Sequence, residues 1–403
     1  MHVELHPRFA DSPTARQAKT LTSACVHCGF CLTTCPTYAD QRDERDSPRG
    51  RIYLIKQLLE SGEAGAPTRV HLDRCLTCRN CETACPSGMQ YGELLDIGRE
   101  LIEWEAPRSL PSRCLRYLLR AILSRPQLVT PALTVAQMLR PILPTRLRER
   151  VPTRQRKKIV RRSQHARTML VLQGCVQRAA TPNTNAIARQ VLDKLGISLI
   201  AAPEAGCCGA VNYHLAAHSD GLDNMRRNID AWWPAIENGA EAIVSSATGC
   251  GAMLIDYGRL LADDPAYAEK ARRVSAMTRD LAEVLLAEDL SQLAIDTAVG
   301  RVAIHTPCTL QNALQQPQLL HTLLARLGFT LAAPTKKLLC CGSAGTYSIL
   351  QTAISKRLRT TTLRALTGNS PALIVTANIG CQLHLQAAAD VPVIHWIELL
   401  DNC

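Results

Sequence analysis

The chain has 403 residues, 46% of them hydrophobic, and a net charge of +11, which excludes a disordered polypeptide and leaves room for two or three domains with cores. No run of about 18 uninterrupted apolar residues occurs, which argues against a transmembrane helix, and the opening MHVELHPRFADSP carries no apolar secretory segment. Eighteen cysteines without such a signal point to a reducing cytosol and to metal ligation rather than disulfides.

Residues 1–23 hold no strong motif, and Thr14 to Thr22 reads as a short helix leading into a cysteine loop. That loop is Cys25-Val26-His27-Cys28-Gly29-Phe30-Cys31-Leu32-Thr33-Thr34-Cys35-Pro36, and the same pattern returns at Cys75, Cys78, Cys81 and Cys85-Pro86. Both read C-x2-C-x2-C-x3-C-P, the run of bacterial-type [4Fe–4S] ferredoxins. Three closely spaced thiolates can reach three irons of one cubane, and the fourth, fixed by its proline, points away toward the other cluster. The expected ligand sets are therefore crossed: Cys25, Cys28, Cys31 and Cys85 for cluster 1, and Cys75, Cys78, Cys81 and Cys35 for cluster 2. Structural zinc takes two separated pairs rather than a run of three and a fourth before proline.

Between the runs, a turn at Ser47-Pro48-Arg49-Gly50 precedes RIYLIKQLL, which puts Ile52, Ile55, Leu58 and Leu59 on one helical face. After the second run, Tyr91 to Trp104 reads as another amphipathic helix. The 39 residues separating Cys35 from Cys75 look helical, so this module resembles the α-helical ferredoxin modules of respiratory iron–sulfur subunits.

Ala106 to Arg167 carries sixteen Lys and Arg against one acid, leaving the remainder of the chain at −4. Within it, Arg113 to Ser124 gathers Leu115, Leu118, Leu119 and Ile122, with Arg113, Arg116 and Arg120 elsewhere on the helix. Such a helix could lie on an anionic membrane, dock on an acidic partner, or pack on its own protein with solvated arginines. Thr153 to Arg162 reads as an exposed linker. No nucleic-acid fold accompanies the basic run, so no nucleic-acid partner is expected.

From Thr168 the chain repeats itself. A strand runs to Cys175, a helix and second strand lead to Cys207-Cys208-Gly209, and a third strand leads to Cys250. The second copy places Cys308, Cys340-Cys341-Gly342 and Cys381 at matching points, with 31 residues from first cysteine to pair in both copies. Strands alternating with helices predict an α/β unit with a largely parallel sheet, its cysteines where open sheets place ligands. The expected division is an α-helical ferredoxin-like domain over 1–105, a basic connector over 106–167, and a duplicated α/β cysteine-rich unit over 168–290 and 291–403.

The repeat resembles the cysteine-rich CCG domain of heterodisulfide reductase-type and related respiratory subunits. That family's pattern ends C-x2-C, whereas Met253 and His384 stand at the matching places here. The four thiols of each copy could hold one or two further iron–sulfur clusters, or be structural. His384 is a candidate ligand, proton carrier or core residue, and His214 and His305 carry the same ambiguity, with a structural role favoured.

No G-x-G-x-x-G or P-loop follows a strand, and cubanes take no hydride, so a relay between partners is a better reading than a complete enzyme. The stretches CVHCGFCLTTCPTY, SPRGRIYLIKQLLE, LDRCLTCRNCETACPSG, AGCCGAVNYH, NIDAWWPAIENGAEAI, LCCGSAGTYS and TANIGCQLHL resemble the family of glycolate oxidase iron–sulfur subunits over nearly the whole chain. The resemblance implies an FAD subunit oxidising glycolate to glyoxylate, a second flavin-domain subunit, and electrons passing through these clusters to a quinone. It also implies a cytoplasmic protein peripheral at the inner membrane, with no catalytic residue of its own toward glycolate. The alternatives are the iron–sulfur subunit of a glycerol-3-phosphate or lactate dehydrogenase system, or a heterodisulfide-reductase-like enzyme.

Overall fold

The computed structural model describes residues 1–144, 148–149, 151–160 and 164–403. Arg161 and Arg162, at the end of the expected linker, lie outside the described residues.

The amino-terminal part is helical: α1 (Pro13–Ser23), α2 (Pro36–Gln41), α3 (Pro48–Ser61), α4 (Ala66–Asp73), α5 (Asn80–Thr83) and α6 (Tyr91–Glu105). Local chemistry sets their starts. Ser12 Oγ accepts from the Ala15 N–H, Ser47 Oγ accepts from the Gly50 N–H at 2.9 Å, and a proline opens α1 and α3. Ile52, Ile55, Leu58 and Leu59 of α3 pack with Leu72, Leu94, Leu95 and Ile102 in one buried cluster. The helical periodicity read from the sequence therefore places the core here.

Next come α7 (Leu110–Leu123) and α8 (Pro126–Leu139), a packed helical pair. Their orientation departs from the expectation of a helix packed by its apolar face with solvated arginines. Arg116 is directed inward to Asp73 at 3.0 Å and Arg120 faces Asp220 at 3.8 Å, while Leu115, Tyr117 and Leu118 are exposed. Ion pairing to the body of the protein fixes the helix by its basic side and leaves its apolar side in solvent.

The remainder forms two four-stranded parallel sheets. The first contains β1 (Arg167–Leu172), β2 (Ile197–Ile200), β3 (Ile243–Ser245) and β4 (Thr278–Asp280) in the order β2-β1-β3-β4. The second contains β5 (Val302–His305), β6 (Leu331–Ala332), β7 (Leu373–Thr376) and β8 (Val393–His395) in the order β6-β5-β7-β8. The last strand of each sheet has three residues, too short for a period to register. One hydrophobic cluster joins Met169, Val171 and Val244 to Val302, Ile304, Trp396 and Ile397. The two repeats thus share a core across the expected boundary at 290.

Candidate metal centre

The two cysteine runs adopt matching loops. His27 and Gly29 in one, and Thr77 and Arg79 in the other, all take positive φ, between 54° and 85°. These sit at equivalent places around the second cysteine of each run. Left-handed turns there, three of them at non-glycine residues, curl each loop so that its first three thiols converge. Cys35 then caps α2, with Pro36 in its first turn.

Two cavities result. The outer one is lined by Cys25, Cys28, Cys31 and Cys85, with Cys81, Arg49 and Tyr91 at its border. The inner one is lined by Cys35, Cys75, Cys78 and Cys81, with Arg51, Asn80 and Tyr91. Each run thus contributes its fourth cysteine beside the first three of the other. Cys28 is exposed and its three companions half-buried, whereas Cys35, Cys75, Cys78 and Cys81 are all buried. Burial pushes the Cys31 thiol up to about 11 and drives Cys78 and Cys81 well above the usual thiol range. Without metal these sulfurs hold protons that a metal would displace.

Two further atoms test whether a cluster fits. Arg51 Nη1 and the Tyr91 hydroxyl are buried donors with no partner among the described residues, and both residues line the inner cavity. Buried orphan donors are rare in folded proteins. Four converging thiols and two unused donors suit a group rich in sulfur acceptors. The residues present fit a [4Fe–4S] cluster.

The repeats gather their cysteines at the carboxyl ends of the central strands. Cys175 follows β1, and Cys250 lies in the first turn of α9 (Thr248–Leu260) after β3, rather than at the strand end itself. Cys308 and Cys381 stand likewise after β5 and β7, Cys381 in α10 (Ile379–Gln386). Sheet order changes direction between these central strands, which opens the ligand crevice of α/β sheets. Gly209 and Gly342, after each pair, have φ of 93° and 86°, and a Cβ would meet the Gly221 and Ser355 carbonyl oxygens at 2.8 and 2.7 Å. Only glycine can follow the pair there.

Within each quartet the first cysteine of the pair is the acceptor. Cys175 and Cys208 donate to Cys207, and Cys308 and Cys341 to Cys340, holding Cys207 and Cys340 well below the usual thiol range. The Cys308 and Cys340 sulfurs are 3.8 Å apart. Of the three histidines singled out in the sequence, His305 is the one beside sulfur. Its ligand atom lies within 4.8 Å of Cys341 and Cys381, and Nδ1 bonds Thr376 Oγ1 at 3.0 Å. Burial pulls its pKa down to about 4, so the ring is neutral at physiological pH. His384 bonds Ser355 Oγ at 3.1 Å, and His214 bonds Asp96 at 3.1 Å across to α6.

The inner cavity adjoins the second quartet. Leu76 and Cys78 share one buried cluster with Cys340, Tyr347, Ile354 and Leu358, and Cys308 packs against it. Asn312 Nδ2 donates to the Cys78 carbonyl at 2.9 Å, and Asn80 Nδ2 to the Leu339 carbonyl at 3.1 Å. Contacts to the first repeat include ion pairs of Arg79 with Asp256 and of Arg259 with Glu93 at 3.4 Å. Arg51, Tyr91, Asn80 and Asn312 were not singled out as site residues by sequence reasoning. A signal existed for Arg51, which shares its helical face with Ile55 and Leu58.

Comparison with known proteins agrees with this arrangement. The family model described as a 4Fe-4S dicluster domain matches residues 24–89, and that described as a cysteine-rich domain matches 169–255 and 302–386. The chain is 50% identical over 403 residues to the glycolate oxidase iron-sulfur subunit of Escherichia coli (strain K12), covering 100% of this chain and 99% of that one. It is 30% identical to a probable glycolate oxidase iron-sulfur subunit of Bacillus subtilis (strain 168), covering 93% and 92%. Lactate utilization protein A of Halalkalibacterium halodurans is 23% identical, over 57% of this chain and 94% of its own. In fold, the chain is similar to a hypothetical protein from Helicobacter pylori of known crystal structure, with a TM-score of 0.56 and 8% identity over 98% of this chain and 72% of that one.

Proposed function

The chain belongs to the family of glycolate oxidase iron–sulfur subunits, and from that premise we propose that it connects an FAD-containing subunit, which oxidises glycolate to glyoxylate, to a quinone. It is an electron-transfer subunit of an oxidoreductase and carries [4Fe–4S] clusters. Bound clusters of this type exchange single electrons and accept no hydride. The two-electron chemistry therefore falls to the flavoprotein, and a second flavin-domain subunit completes the assembly.

The observation that carries the reading is the pair of cavities, each ringed by three cysteines of one run and the fourth of the other. On that basis Cys25, Cys28, Cys31 and Cys85 hold the outer cluster, and Cys75, Cys78, Cys81 and Cys35 the inner one. For a further centre, the quartet of Cys308, Cys340, Cys341 and Cys381 is the better candidate, since His305 stands beside it and the corresponding residue of the first repeat is Leu172. Two clusters give about eight irons per chain; a filled second quartet raises that number, and Cys341→Ser returns it to about eight.

The exposed apolar side of α7, with Arg113 and Arg125 exposed nearby in the chain, suits an anionic membrane surface. No helix among the described residues is long and apolar enough to cross a membrane, so contact there would be peripheral. The whole reading is tested by reconstituting the chain anaerobically. Alone it should give no glycolate-dependent dye reduction, and adding the flavin subunit should speed reduction of its clusters by glycolate. Turnover by the chain alone would overturn it.

A further inference from the structure

We infer that Arg51, assisted by Tyr91, makes the inner cluster easier to reduce, by donating from its unpaired guanidinium edge and supplying a surplus positive charge. The inference rests on the reading that Cys35, Cys75, Cys78 and Cys81 hold a cluster.

Arg51 lies in the first turn of α3 with none of its side chain exposed. Two of its nitrogens are used. Nε donates to the His71 carbonyl at 2.7 Å, and Nη2 donates to Thr37 Oγ1 at 3.1 Å and Asp46 Oδ1 at 3.4 Å. Nη1 has no partner among the described residues. The aspartate does not depend on this arginine, because His71 Nδ1 approaches it at 3.0 Å and Arg74 donates to it at 2.8 Å. One carboxylate thus faces two guanidinium groups, the fully buried one of Arg51 and the partly exposed one of Arg74, leaving one positive charge in excess. None of the described residues lining the inner cavity is acidic. A buried cation whose one carboxylate is shared is poorly compensated, and the cavity, where the thiolates are, supplies the remaining negative charge.

Tyr91 supplies a second donor. Its ring is buried, its hydroxyl has no partner among the described residues, and it borders the cavity beside Cys75. Tyr91 also reaches the border of the outer cavity, but among the described residues that cavity has no equivalent of Arg51. Arg49 lines it but is already paired with Glu44 at 2.8 Å and is partly exposed.

Reduction adds one negative charge to a cluster. A nearby cation and hydrogen bonds to its sulfurs stabilise the reduced form more than the oxidised one. Burial acts in the opposite direction, and the inner ring is the buried one. Arg51 therefore offsets what depth would otherwise do to that cluster's potential.

The test is an EPR-monitored redox titration of the full chain, with the inner signal assigned by its loss in Cys75→Ser. Arg51→Gln should lower the reduced-to-oxidised ratio of the inner cluster at fixed potential about tenfold, a fall of about 59 mV for one electron. Tyr91→Phe should shift it the same way by less, and Arg51→Lys, which keeps the charge, should restore part of the loss. If Arg51→Gln fails to retain the cluster, Tyr91→Phe decides alone. Unchanged or raised inner potentials in every variant that keeps about eight irons overturn the inference. A wild-type chain with only about four irons, and no signal lost on Cys75→Ser, would instead overturn the cluster reading beneath it.

Discussion

Cys85 stands across the outer cavity from Cys25, Cys28 and Cys31 although 53 residues separate it from Cys31. Crossed ligation predicts that Cys25→Ser and Cys85→Ser damage one EPR signal and Cys35→Ser the other; grouping of Cys35 with Cys25 would refute it. The expectation of crossed ligation rests on the proline after the fourth cysteine, which fixes its exit. Polar residues away from the runs were harder to read. Asp280, which caps the helix after β4, is buried, and burial pushes its carboxyl up to about 7. An unfolded aspartate titrates near 3.9, so the folded state binds the extra proton between those values and stability falls as pH rises through them. Asp280→Asn keeps a capping oxygen without the charge. Its thermal stability at pH 8 should exceed the wild type's by about 1–4 kcal/mol, with little difference at pH 4; a variant no more stable at pH 8 would rule this out.

At the scale of elements, periodicity located α3, α6 and α7 but could not say which side of α7 would be buried. Three leucines and an isoleucine on one face normally win, at about 1.5–3 kcal/mol for each side chain fully buried. Here Asp73 of α4, Arg108 and Glu103 form a network around Arg116, and nothing local in the sequence announces it. Leu115, Tyr117 and Leu118 are left outward. Tyr117→Glu with Leu118→Glu should therefore cut co-sedimentation with anionic vesicles several-fold without lowering the melting temperature. Arg116→Ala should do the reverse, destabilising by about 1–2 kcal/mol with vesicle binding retained by the folded fraction. Equal vesicle binding by the double variant and the wild type would leave this face without a membrane role.

At the scale of the whole molecule, the duplication and its parallel sheets were legible, because each copy repeats strand, helix and cysteine at near-equal spacing. The docking of the helical domain was not. It depends on pairs such as Asn80 with Leu339 and Asn312 with Cys78, both more than 230 residues apart, and no local pattern encodes them. That docking has an electrical consequence. Hydrogen bonds from Cys308 and Cys341 favour the thiolate at Cys340 over the other thiols of its quartet, and Cys340 shares a buried cluster with Cys78. A negative charge this close, in a medium that screens poorly, opposes adding an electron to the inner ring. Cys340→Ser should therefore raise the inner cluster's potential, the opposite sign to Arg51→Gln. Cys207→Ser removes the equivalent thiolate from the first repeat, outside that buried cluster, and should leave the inner potential nearly unchanged. Equal shifts in the two variants would mean that the helical domain senses both repeats alike, against the one-sided contact seen between Cys78 and Cys340.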